Sequence, residues 1–268
     1  MRPLSIRAKT LELRCGWMQT RYLVAIVVWV LAAIAYFLLQ SSALLAPATD
    51  VIFSLASGSI TILAFLAARH WGFRGKFGLV HAGLFFGFLL WFLGDATWTI
   101  YETILQTRIP YPSIADVFYL AAYFPIAVGI IQFLWTFRSA LNKQRALIAL
   151  GVGLLFLGLT YAFLIGPLLT STEDFLTKSF DVTYPVLDSM LVVLAVFMLF
   201  VFRGGKMAHA WVWISVGLLL SALADISFSL GTLQGWYYSG NPIELIQFSG
   251  YLCFALGLDE QRRAIAIS

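Results

Sequence analysis

The chain has 268 residues, 61% of them hydrophobic and 11% charged, with a mean hydropathy of +0.89. Soluble domains carry about 25% charged residues, so there is too little polar surface here to coat a water-soluble globule. The net charge of +4 is dispersed among short connections instead of gathered in one patch, which argues against nucleic-acid binding.

A helix crosses the hydrocarbon with roughly 20 apolar residues. Eight windows of that kind follow one another, near 22–44, 51–68, 78–101, 114–137, 146–169, 181–202, 208–231 and 243–258. The first exceeds the roughly 7–15 apolar residues of a signal peptide, so a membrane span is expected there and not a cleaved leader. The windows predict an all-α membrane protein of eight transmembrane helices. Its parts are a basic tail (1–21), a first four-helix half (22–137), a linker (138–145), a second half (146–258) and a short tail (259–268).

Charge gives the orientation. Arg2, Arg7, Lys9, Arg14 and Arg21 precede the first window; Arg69, Arg74 and Lys76 follow the second; Arg138, Lys143 and Arg145 follow the fourth. Arg203 and Lys206 follow the sixth, and Arg262 and Arg263 follow the eighth. Only Arg108 and Lys178 fall on the other side, so 15 of 17 basic residues share one face. The positive-inside rule makes that face cytoplasmic and places both termini there, in the cell membrane. Cys15 and Cys253 are too far apart in topology for a disulfide, and neither has metal-ligand spacing. No cofactor and no metal are expected.

A repeat underlies the spans. Asp50, Asp116, Asp181 and Glu244 each open the second helix of a pair, at spacings of 66, 65 and 63 residues. Asp95, Thr160 and Asp225 repeat at 65 in the first helices. The expected unit is a hairpin of about 65 residues present four times, in two parallel halves about an axis along the membrane normal. Gly83-x-x-x-Gly87 and Gly217-x-x-x-Ser221 give small-residue faces for close helix packing.

Of the 13 acids, Glu12, Asp259 and Glu260 are cytoplasmic and ten are outer. Ser113-x-x-Asp116 and Asn241-Pro242-x-Glu244 read as capping boxes. Asp50 and Asp181 read as helix starts, and Glu173 and Asp174 as solvated loop residues. Asp95, Asp225 and Asp188 lie deeper, where an acid costs several kcal/mol unless it is paired, protonated or facing water. No lysine or arginine in the spans can pair with them. Three helical stripes surround them: Trp91-Asp95-Trp98-Glu102, Asp181-Tyr184-Asp188, and Gly217-Ser221-Asp225, whose small residues leave room beside the carboxylate. Tyr111, Trp236, Tyr237 and Tyr238 add outer aromatics of the kind that form interfacial belts. The candidate ligand-binding set is Asp95, Trp98, Glu102, Tyr184, Asp188, Ser221 and Asp225. His70, His81 and His209 fall at the cytoplasmic interface, where snorkelling explains them better than a bis-histidine haem through His81 and His209.

The run Trp91, Gly94-Asp95, Trp98 and Tyr111-Pro112-Ser113-Ile114-Ala115-Asp116-Val117-Phe118-Tyr119 resembles multi-pass sensory regions that precede GGDEF/EAL or histidine-kinase domains in prokaryotes. Gly240-Asn241-Pro242-x-Glu244 and Gly250-Tyr251 are similar to their last hairpin. That resemblance implies a sensory module; the acids Asp95, Asp225 and Asp188 add the expectation of a small cationic or lipid-like ligand. With the sequence ending at Ser268, its output is expected to pass through a separate cytoplasmic signalling partner or a removed domain. Eight spans with Asp95 in the third and Asp225 in the seventh also resemble the lysoplasmalogenase family of membrane hydrolases. That likeness implies Asp95 and Asp225 as catalytic acid and base. A proton- or cation-coupled carrier is the third reading; a binding role is expected ahead of an enzymatic one.

Overall fold

A computed structural model describes residues 4–140, 142–172, 174–201 and 208–265, with side chains from residue 20 to residue 263. Glu173, Arg203 and Lys206, and the side chains of Arg2, Arg7, Lys9, Glu12, Arg14 and Cys15, lie outside the described residues. The described chain is helical throughout its ordered elements. These are α1 (Leu4–Leu39), α2 (Leu45–Trp71), α3 (Gly75–Thr99), α4 (Ile114–Thr136), α5 (Lys143–Thr160), α6 (Gly166–Leu169), α7 (Phe175–Val201), α8 (Ala208–Leu233) and α9 (Leu245–Ile265). π-helical turns at Ile100–Ile104 and Tyr161–Ile165 extend α3 and join α5 to α6. Seven stretches are long and apolar enough to cross a membrane, from Thr20–Leu39 through Ala208–Leu233. In α9 the charges Asp259, Glu260, Arg262 and Arg263 crowd the second half, and 245–258 is uncharged.

Helices α2, α3, α4, α7, α8 and α9 each pack on the next, and α9 returns to α2, closing a ring of six. Helix α1 lies outside the ring on α9 and α2, and α5 lies outside it on α7. The ring is tight where side chains vanish. A β-carbon on Gly83 would fall 2.5 Å from the Pro125 carbonyl oxygen and 2.7 Å from Gly129 Cα, so α3 and α4 touch backbone to backbone. On the other side, one on Gly217 would strike the Phe254 ring at 2.5 Å, and one on Gly257 would fall 2.7 Å from the Ala210 carbonyl oxygen. The room expected beside Asp225 is therefore taken by α9. Ser221 is buried in that contact against Gly250.

One end of the bundle is tied by charge. Arg21 on α1 meets Asp259 at 3.3 Å and Glu260 at 3.6 Å on α9, and Tyr22 donates to Glu260 at 2.9 Å. Above this end the ring is filled by Phe133 against Trp211, 4.0 Å between centroids, and by Phe88, Trp91 and Phe254. His81 joins that core and does not snorkel: it is 1% exposed, its Nδ1 lies 2.8 Å from the Phe77 carbonyl, and its ring stacks on Trp71. His209 is exposed, so the two histidines do not form a facing pair.

Candidate functional site

At the other end of the ring lies a cavity of about 180 Å³ to which all six ring helices contribute. Helix α2 supplies Asp50 and Phe53, α3 supplies Trp91, Asp95 and Trp98, and α4 supplies Asp116, Tyr119 and Tyr123. Tyr184 comes from α7, and Ala224, Asp225, Phe228 and Ser229 from α8. Ile243, Glu244, Gln247 and Tyr251 come from α9 and the turn before it, with Tyr111 and Tyr237 from the connections. Trp91 is shared with the packed core below.

The acids in this wall are held by tyrosines. Asp95, 6% exposed, accepts from Tyr119 on Oδ1 and from Tyr251 on Oδ2, both at 2.8 Å. Tyr123 reaches two carboxylates at once, Asp188 Oδ1 at 2.5 Å and Asp225 Oδ2 at 3.3 Å. One hydroxyl hydrogen cannot fully serve both. Asp188 is 1% exposed, and its Oδ2 has no hydroxyl or amide donor and lies against Asp225. Glu244 accepts from Tyr36 at 2.7 Å, Tyr237 at 2.7 Å and the Gly240 amide at 2.9 Å. Tyr237 lies in the connection before α9; burial, then the Glu244 charge, holds its phenol well above the ordinary range, so it stays a donor. Tyr111 donates to Asp181. Among the described residues no lysine or arginine forms an ion pair with a cavity acid; the ion pairs found involve Arg21, Arg262 and Arg263 at the opposite end.

Local sequence explains how these side chains are aimed. The capping box at the start of α4 forms as expected: Asp116 accepts from the Ser113 amide at 2.7 Å and hydroxyl at 2.9 Å. Its other oxygen is free to accept from Tyr184 at 3.1 Å, which links α4 to α7. Asn241 caps the Pro242–Glu244 turn through the Ile243 amide at 3.1 Å. Glu244 does not return to the Asn241 amide as a capping box requires. The tight 3₁₀ turn brings it to Gly240 and the two tyrosines instead. Asp50 and Asp181 do not open their helices, because α2 starts at Leu45 and α7 at Phe175. Asp174 takes that role for α7: exposed, it accepts from the Leu176 and Thr177 amides and the Thr177 hydroxyl, and these bonds hold its carboxyl below the usual range.

Of the seven residues expected to bind ligand, Asp95, Trp98, Tyr184 and Asp225 line the cavity. Asp188 stands behind Tyr123, and Ser221 is in the α8–α9 contact. Glu102 is carried off the Trp91-Asp95-Trp98 stripe by the π turn, whose wider period breaks the 3.6-residue spacing, and accepts from Ser239 at 2.8 Å. Tyr111, Trp236 and Tyr238 are exposed, as belt residues are, and Tyr111 and Tyr237 also line the cavity.

Sequence reasoning missed Asp50, Tyr119, Tyr123, Gln247 and Tyr251. A signal for them was present in the repeat. Three residues beyond the four second-helix acids stand Phe53, Tyr119, Tyr184 and Gln247; seven beyond stand Ser57, Tyr123, Asp188 and Tyr251. Each of these eight lines the cavity or touches one of its acids, Ser57 through Asp95. Acid, +3 and +7 form one helical face, and its +3 and +7 positions are turned inward in every repeat.

Comparison of the chain with family models, with curated proteins and with solved structures finds no match.

Proposed function

We propose that this protein is a membrane-embedded sensory or ligand-binding module whose pocket is the acid- and tyrosine-lined cavity. The carrying observation is that Asp95 and Asp225, remote in sequence, line one cavity together with Trp98, Phe228 and Tyr237 and, among the described residues, with no paired lysine or arginine. A cavity with convergent polar groups on an aromatic lining is what a small-molecule site requires. In this reading α9 is the eighth span, the chain forms two parallel four-helix halves, and both termini are cytoplasmic. The Arg21–Asp259 ion pair supports termini on one side, and the excess of basic residues at that end supports the cytoplasmic assignment. The cavity then opens toward the outer leaflet, and the ring of helices carries occupancy to the cytoplasmic side. The hydrolase reading draws on the same Asp95–Asp225 juxtaposition, but both Asp95 oxygens already accept tyrosine hydroxyls.

A thermal-shift screen of the purified protein against small cations, anions, neutral solutes and lysolipids tests the proposal. Ligand at 100 times its Kd stabilises by about 2.7 kcal/mol. At least one cationic or lipid-like compound should raise Tm in the wild type and leave folded Asp95→Asn or Asp225→Asn unmoved. A screen in which no response depends on either acid contradicts it.

A further inference from the structure

We infer that the cavity is built for a protonated amine that brings its own N–H donors, a primary or secondary ammonium on a small apolar body. This rests on the proposed ligand-binding role and names the ligand class. Three features of the wall carry it.

The first is charge without a counter-charge. Asp50, Asp95, Asp116, Asp225 and Glu244 surround about 180 Å³, and no lysine or arginine pairs with them among the described residues. Tyrosine hydroxyls position these acids but bring no positive charge. A cation entering the cavity supplies what the protein withholds, and in a site shielded from water each such interaction is stronger than in bulk.

The second is unmet acceptors. Asp50 Oδ2 and Gln247 Oε1 belong to lining residues, are shut off from solvent and have no hydrogen-bond donor. A buried acceptor left unmet is costly. A side-chain rotation that turns either oxygen into the cavity presents it to an N–H donor, of which a primary ammonium has three and a quaternary ammonium none.

The third is shape. Trp98 meets Phe228 edge-on at 6.3 Å, and Phe228 meets Tyr237 at 4.5 Å, forming a ring-faced wall bridging α3, α8 and the connection before α9. Ring faces attract a cation within about 6 Å and accept an apolar body. A dry cavity of about 150 Å³ is known to hold benzene, so one ring with a short aminoalkyl arm is the matching size.

The test titrates detergent-purified protein at pH 7 with benzylamine, benzyltrimethylammonium and benzyl alcohol, following tryptophan emission from Trp91 and Trp98. These probes share a ring and differ in charge and N–H donors. Benzylamine should bind at least tenfold tighter than the other two, and Asp225→Asn and Gln247→Leu should each weaken it at least fivefold while elution and melting stay those of a folded protein. Benzyltrimethylammonium binding as tightly as benzylamine overturns the N–H requirement, and benzyl alcohol doing so overturns the charge requirement. Either result leaves the cavity a ligand site. Silence from all three, with a thermal-shift response to another compound that needs Asp225, also overturns the amine inference alone. Silence in both experiments removes the ligand-binding reading with it.

Discussion

Gly83→Ala destabilises the protein by about 1–3 kcal/mol, the range of an overpacked core, although it adds a single methyl group to a helix. The added carbon has nowhere to go. It would lie 2.5 Å from the Pro125 carbonyl oxygen and 2.7 and 2.8 Å from Gly129 Cα and N, all backbone atoms that cannot rotate aside. Helices α3 and α4 would have to separate, and both carry cavity residues: Asp95 and Trp98 on one, Tyr119 and Tyr123 on the other. Gly151→Ala on the peripheral α5 is the control, since nothing lies within 4 Å of its added carbon. There the usual preference of helices for alanine over glycine, about 0.5–1 kcal/mol, should make the change neutral or stabilising. Equilibrium unfolding of the two variants checks this. Equal effects would show that α3 and α4 do not approach this closely.

Tyr123→Phe has the second large effect, a loss of about 1–3 kcal/mol, the cost of leaving a buried acceptor without its donor. Its hydroxyl is the donor between Asp188 and Asp225, and among the described residues neither has a lysine or arginine to replace it. Tyr119→Phe makes the informative comparison. It removes one of two tyrosine donors to Asp95 and leaves Tyr251 in place, so its loss should be smaller, about 1 kcal/mol. Unfolding curves for both variants decide the matter: Tyr119→Phe costing as much as Tyr123→Phe would deny the bridging hydroxyl its special role.

The fold was legible where the physics is local. A span announces itself by uninterrupted apolar length, so the sequence windows coincide with the long helices, and seven of these are long and apolar enough to cross a membrane. Ser113 and Asp116 announced a cap because a capping box is closed within four residues. Asp50 and Asp181 were misread for the complementary reason. An acid near a helix start looks the same whether it caps the end or sits a turn and more inside it, and only the earlier starts at Leu45 and Phe175 distinguish these cases.

The site was legible in part. Asp95 and Asp225 stood out because an acid deep in an apolar window needs a reason. Tyrosine raises no such alarm, so the donors Tyr119, Tyr123 and Tyr251 passed as interfacial or core aromatics. Their role follows from which helices meet in the ring, a tertiary fact. Glu102 lies off the cavity lining because a π turn shifts the helical phase without a mark in composition. Ser221 lies in the α8–α9 contact because a small side chain invites a neighbouring helix as readily as a ligand.

The central claim is that Asp95 and Asp225 face one accessible cavity that favours cations. The most direct measurement places a cysteine in its wall, Ser229→Cys, in a chain with Cys15→Ser and Cys253→Ser. The rates of modification by the cationic trimethylammonioethyl and anionic sulfonatoethyl methanethiosulfonates are then compared, each normalised to a free thiol. The account predicts reaction from the acid-rich end, at least tenfold faster with the cation, and a ratio that falls when Asp225→Asn is added. Equal normalised rates, or a thiol that neither reagent reaches, would contradict it.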